Sequence, residues 1–495
     1  MARYTISEVK IDGSYPVQEI WELSMDAAAN RHGFLTYGGL ISEEAAIRYI
    51  QQSADKQTVN VSLRGETEFC GYPHYISVEY QNNHWYLRVV LVTSSVLLDV
   101  YMCNRFFQDT THTYEDIITE AYDDSGTGNI VAIRDKEEIA RPILQYRETN
   151  WMFTLRMAGR LCTVVIPNIA SAEPQVTLGV PNRPAKVETN SITYAVGRNP
   201  EEYKHKFATD ERINFHNFLY YKMRSDNRYR LGDSVNVDGK LLTVMQKTFE
   251  YTRGEIVEHY ILGHEEEFAV PFHHNKKIAG LELEGKVLER RFQELKILLD
   301  IDAKRPECGK SWFYYAPDTN NGMYSMPLVD EKVMLNWLSD TDCDTLVLRP
   351  CRKNGNGMPH HGERHFMTDC ENHLMMMPDK IEYKNPVGSM KWLAHSGFDI
   401  STNKKVSIIA GHDVVIASKA QVRGYSPERI TASKTGVESS IDMICNEIHI
   451  KAKETVNETS AVRQYKKSTL PRRPEKCVIS SSAASKLRGA IKSSL

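Results

Sequence analysis

The sequence predicts a mainly β protein with a few helices, a small OB-fold barrel, and a short intertwined β-helix that only three chains together can close. Three observations carry this. Runs of alternating apolar and polar residues recur through the first 270 positions. Short strands and turn residues fill about 75 residues after position 280. Beyond position 390, Val406, Val414, Val422 and Ile430 stand eight residues apart. Alternation places every second side chain on one face of a half-buried strand.

TVNVSLRG (58–65) and HWYLRVVLV (84–92) alternate in this way. In SVNVDGKLLTV (234–244) Asp238-Gly239 separates two β runs, a tight-hairpin signal. Three helices interrupt the strands. The first starts near Ser42, with Glu43 and Glu44 in its first turn and Ala46, Ile47 and Ile50 as its apolar stripe. The second is TYEDIITEAY, where Thr113 and Asp116 form a capping pair and Ile117, Ile118 and Ala121 face inward. The third is TNWMFTLRMAGRL, capped at Thr149 or Asn150, with Trp151, Leu155 and Ala158 buried. Core packing explains these residues without a cofactor.

From 279 to 355, LEGKVLERRFQELKILLDI, MPLVDEKVMLNWL and DTLVLRPC supply short strands for an OB-type barrel. Residues 356–390, rich in Gly, His and Met, read as a linker with a short hairpin. Residues 391–456 carry the octads. Ile408 and Ile416 follow Val406 and Val414 by two, and Ile441/Met443 and Ile448/Ile450 are further i, i+2 pairs, so each short strand turns one apolar pair to one face. Val437 belongs to the same series at looser spacing. Eight residues cannot enclose a core, whereas a single-chain β-helix needs roughly 20 per coil. Three chains, each giving one strand per layer, can form a stiff, narrow prism with few free edges. A β-sandwich of ordinary hairpins is the plainer alternative.

Bulk properties exclude other classes. The 495 residues are 41% hydrophobic and 25% charged, with a net charge of -3, so no global nucleic-acid signature exists. Nine cysteines without a C-x-x-C pair suit a reducing cytoplasm. The N-terminus lacks the apolar core of a signal peptide. Residues 451–495 hold eleven Lys/Arg against three Asp/Glu, a basic tail in which Arg472, Arg473, Lys486, Leu487, Arg488 and Ile491 are candidate partner-binding residues.

FCGYPHYISVEYQNNHWYLRVVLVTSSVLLDVYMCNRFFQDTTHTYEDIITEAY, LQYRETNWMFTLRMAGRLCTVVIPNI, YRLGDSVNVDGKLLTV and MYSMPLVDEKVMLNWL, followed by the octads, resemble in order the segments of VgrG-type spike proteins of contractile injection systems. The likeness covers about residues 1–455. It implies a hub domain of two β-barrels over 1–278, with the helix bearing Trp151, Leu155 and Ala158 as the family's hallmark. It also implies a homotrimer whose six barrels seat a hexameric inner tube among baseplate components, and a needle that meets the target envelope. A PAAR-type tip protein or an effector at the C-terminal end is a further implied partner. Such a protein is assembled in the bacterial cytoplasm and ejected on contraction; its work is mechanical. The octads span only about 50 residues, so the needle is short, and residues 457–495 match nothing in the family.

Chemistry is sparse. His360, His361, His365, Cys370 and His373 have zinc-like residue types, but their spacing matches no standard site, and no metal or cofactor is expected. His449 lies between Ile448 and Ile450 and faces away from them. No G-x-S-x-G, H-E-x-x-H or phosphate loop occurs. No enzymatic activity is expected. The rival from another class, a carbohydrate-active β-helix hydrolase or lyase, needs longer coils and an acidic groove.

Overall fold

Alternating β-branched and aromatic residues form strands wherever one face can be buried, and this chain uses that rule almost throughout. The computed structural model describes residues 4–51, 57–126, 128–132, 137–187, 193–209, 214–225, 227–316, 326–350, 362–368, 370–433, 440–444, 447–452 and 477–478. The protein is mainly β and divides into two compact units, 1–358 and 359–495.

In the first unit a 13-stranded sheet runs through 193–197, 220–224, 255–263, 240–252, 19–28, 34–41, 84–93, 66–81, 59–63 and 9–12, with three short strands attached. One sheet serves two cores. Tyr15, Leu35, Tyr37, Val59, Phe69 and Val89 fill the N-terminal one. Tyr221, Val235, Leu242, Val244 and Leu262 fill the other. The hairpin at Asp238-Gly239 has positive φ at both turn residues (49° and 79°), which matches the twist of its strands.

Helix Glu43–Gln51 buries Ala46 and Tyr49, while Ile47 and Ile50 are exposed. The expected stripe is thus rotated, because Tyr49 packs edge-on against Tyr15 in the N-terminal core. Helix Tyr114–Ser125 has a reciprocal cap: Asp116 N donates to Thr113 Oγ1 (3.1 Å) and Thr113 N to Asp116 Oδ2 (2.8 Å). Helix Asn150–Arg160 is capped by Thr149, whose Oγ1 accepts from Met152 N (3.1 Å). Trp151 and Ala158 are buried and Leu155 is partly so.

Strands Glu282–Arg291, Glu294–Leu299, Trp312–Tyr314, Lys332–Trp337 and Thr345–Pro350 pair first to second, second to third, fifth to fourth and fourth to first. A parallel bridge, Tyr315 to Val347, joins the third to the fifth. That is the closed order of an OB-fold.

The second unit opens with a five-stranded antiparallel meander: Arg364–Met367, His373–Met377, Lys380–Lys384, Gly388–Leu393 and Gly397–Thr402. The linker and short hairpin expected over 356–390 are replaced, in their described part, by the first strands of this sheet. The His- and Met-rich composition hid their period of two. A second meander, Arg429–Ser433, Ser440–Ile444 and Glu447–Lys451, adds Cys477–Val478 at its edge. Among the described residues no helix is long and apolar enough to cross a membrane.

Candidate assembly site

Two features set this molecule apart: a joint sealed by buried charge in the first unit, and apolar faces left bare in the second.

The joint lies where the strand pair Cys103–Phe107 and Ile143–Glu148 meets the OB barrel. Phe106 and Leu144 belong to the same apolar cluster as Val287, Ile297, Phe313, Leu335 and Trp337. Backbone donors of the pair are taken by barrel carboxylates. Phe106 N donates to Asp302 (3.1 Å) and Leu144 N to Asp342 (3.0 Å). Arg156, 0% exposed, completes the seal from helix Asn150–Arg160. Its Nε and Nη2 each donate to Glu148 at 2.8 Å, Nη1 donates to Asp342 at 3.1 Å, and Nη2 also reaches Leu144 O at 2.8 Å. Burial opposes the guanidinium's charge, but Asp342 and Glu148 more than offset it and raise its pKa above the ordinary value. A buried charge so fully paired fixes geometry more than it adds net stability.

The joint residues Arg156 and Asp342 were not among the sequence candidates. Arg156 could have been suspected from its place beside Leu155 and Ala158 on an apolar helix. Asp342 sits in a polar turn, TDCDT, and carries no such signal.

In the second unit the first meander has two unlike faces. Directly paired residues share a face. Beyond Arg364 at its edge, one row reads Met376, Ile381, Trp392, Phe398, and the next but one reads Phe366, Leu374, Tyr383, Met390, Ile400. Every one of these is apolar or aromatic, and all but Leu374 are exposed; Trp392 is 67% exposed. The opposite face carries His365, Met375, Glu382, Lys391 and Asp399 in one row. There Glu382 is buried and paired to Lys380 (2.7 Å) and Lys391 (3.6 Å).

Residues 405–410, 413–418 and 421–426 belong to no helix or strand and are separated by bends at 411–412, 419–420 and 427–428. The eight-residue period of the sequence is thus a period of the backbone. Residues 404–428 enter no strand pairing, and no backbone–backbone hydrogen bond is found for them among the described residues. Val406, Ile408, Val414, Ile416 and Val422 are all exposed. The phase extends into both meanders: Phe398 lies eight before Val406, and Ile430 eight after Val422.

In the second meander Ile430, Met443 and Ile448 form one row, and Ala432, Ile441 and Ile450 the next on the same face. Asp442 and His449 pair on the other face, with His449 3.0 Å from Glu447. Val437 and the tail residues Arg472, Arg473, Lys486, Leu487, Arg488 and Ile491 lie outside the described residues. So do His360 and His361.

A cleft of the first unit, about 1230 Å³, is lined by residues that include Glu66, Glu68, Arg183, Lys186, Arg228, Arg230 and Lys247. Its charges are spent on one another: Lys247 meets Glu68 at 2.7 Å, and Asp233 takes Lys186 (2.6 Å) and Arg183 (2.8 Å). Burial lowers the pKa of Lys247. Nothing in this arrangement presents a nucleophile beside a base.

The chain is similar to several solved structures, each at a TM-score below 0.5. The E. coli c3393 protein, a component of the type VI secretion system with structural similarity to the T4 tail proteins gp27 and gp5, matches at TM-score 0.49 and 11% identity. The match covers 68% of this chain and 99% of that one. A Francisella PdpA-VgrG complex matches at TM-score 0.48 and 10% identity over 80% of this chain and 88% of that one. A 43 kDa prophage MuSo2 tail protein from Shewanella oneidensis matches at TM-score 0.40 and 9% identity over 53% and 98%. No protein-family model and no curated protein matches the chain.

Proposed function

We propose that this chain is the trimeric hub and spike protein of a contractile injection system of the VgrG type, with a mechanical and not a catalytic role. The observation that carries the reading is the run of unpaired, apolar-bearing segments over 404–428, broken by bends every eight residues. Backbone N–H and C=O groups withdrawn from water by packing require partners. Exposed Val and Ile at every eighth position require cover. Two further copies of the same segment supply both at once, strand against strand and apolar pair against apolar pair. Burying one Val and one Ile per chain in each layer is worth on the order of 3–6 kcal/mol per chain.

In this reading residues 1–278 form the hub that seats a hexameric inner tube, 279–355 the connecting barrel, and 391–456 the needle whose core is Val406, Ile408, Val414, Ile416, Val422, Ile430, Val437, Ile441, Met443, Ile448 and Ile450. Residues 457–495 form a basic tail for a tip protein or cargo. The order of family-like segments along the sequence supports the same assignment. The sealed joint at Arg156 suits a part that must carry a thrust. The deciding experiment is the solution mass of the purified protein by light scattering on a size-exclusion column. A mass three times that of the 56.6 kDa chain is expected. A well-folded monomer overturns the reading and returns the exposed segments to the β-helix enzyme alternative.

A further inference from the structure

The polar face of the first meander holds a second, unrelated feature. His365 pairs across the hairpin with Met375, and His373 with Met367, so two histidines and two methionines occupy the corners of one small rectangle of backbone positions on one face. The imidazoles sit on its diagonal, with His365 Nδ1 3.1 Å from His373 Nε2 and ring centroids 5.2 Å apart. The far nitrogen of His365, Nε2, lies 3.1 Å from Glu363 Oε2. That contact places a proton on Nε2 and leaves the Nδ1 lone pair directed at His373. Two imidazole nitrogens bound to one tetrahedral metal at 2.0–2.1 Å are about 3.4 Å apart, close to the separation here. A carboxylate on the outer nitrogen is the usual device that orients a ligating imidazole and raises its basicity.

The donor set selects the ion. Among the described residues no group of three or more His, Cys, Asp and Glu is gathered, so a closed zinc site is not available. Imidazole with thioether suits a softer ion. We propose that His365 and His373, with sulfur from Met367 and Met375 and with Glu363 holding His365, bind a cuprous ion on this hairpin. Binding involves coordination only, without electron transfer. The ion ties strand Arg364–Met367 to strand His373–Met377, one site per chain, whatever the oligomeric state.

The test uses the reduced full-length protein under anaerobic conditions, titrated with Cu+ against the competing chelator bicinchoninate. One equivalent per chain that resists the competitor is expected. His365→Ala and His373→Ala should each lose it, and Glu363→Gln should weaken it roughly tenfold. X-ray absorption on the unmutated, copper-loaded protein provides a readout independent of how the variants fold. Imidazole nitrogen together with sulfur around copper is expected. A shell of sulfur alone overturns the proposal by assigning the metal to cysteines. Failure to compete with bicinchoninate also overturns it, leaving the pair as a single imidazole–imidazole hydrogen bond.

Discussion

The OB barrel and the first meander are both five-stranded antiparallel arrangements with alternating side chains, yet one hides its apolar face and the other displays it. In the barrel, Val287, Ile297, Leu335 and Trp337 point into a wall that the chain itself closes through Tyr315 and Val347. Polar groups that enter this region, such as Asp302, Asp342 and Arg156, arrive with partners. In the meander, Ile381, Trp392, Phe398 and Ile400 are as apolar as any barrel residue but face solvent in the single chain. The difference lies in whether this chain supplies the opposite wall. A region that closes on itself reports on folding; one that does not reports on assembly.

Ile416→Asp tests the open region most severely. Three carboxylates would enter one apolar layer, a costly burial. Loss of the trimer in light scattering is expected, with the near-ultraviolet circular dichroism of the first unit unchanged; a stable trimer would refute the register. Arg156→Ala tests the closed region. It strands Glu148 without its cation and leaves Asp342 to Arg160 alone, and a loss of about 3–5 kcal/mol in urea unfolding is expected. The combined change with Glu148→Gln and Asp342→Asn should restore part of this.

Glu267 has a carboxyl oxygen buried in the first unit without a hydrogen-bond partner. Burial pushes its pKa from 4.5 up to about 8. The folded chain therefore holds a proton that the unfolded chain releases, and stability falls as pH rises between those values. Glu267→Gln should flatten this slope in denaturation curves recorded from pH 5 to 8. Thr113→Ala, which removes one helix cap, should cost only about 1 kcal/mol, read as a small fall in Tm.

Much of this was legible in the sequence. Asp238-Gly239, the Thr113–Asp116 cap and the alternation of VMLNW each carry their structure in local chemistry. The bare face of the first meander was not read, although KIEYK and FDI alternate as cleanly. Short strands among His, Met and Gly residues lack the β-branched signal that marks strands elsewhere, so period two was masked by composition. Ile47 and Ile50 misled for a different reason: helix periodicity says which residues share a face, but only tertiary contact with Tyr15 decides which face is buried. The joint was hidden because a buried Arg–Asp pair separated by 186 positions leaves no local trace.

The octads join two sheets that are already in phase, since Phe398 and Ile430 are separated by 32 residues. In the proposed needle, a single inserted residue between them would turn every later side chain to the opposite face. Growth or shortening of this segment is therefore quantised. In that needle whole octads act as interchangeable links, so reach changes by eight residues at a time with both ends untouched, and intermediate lengths break the phase.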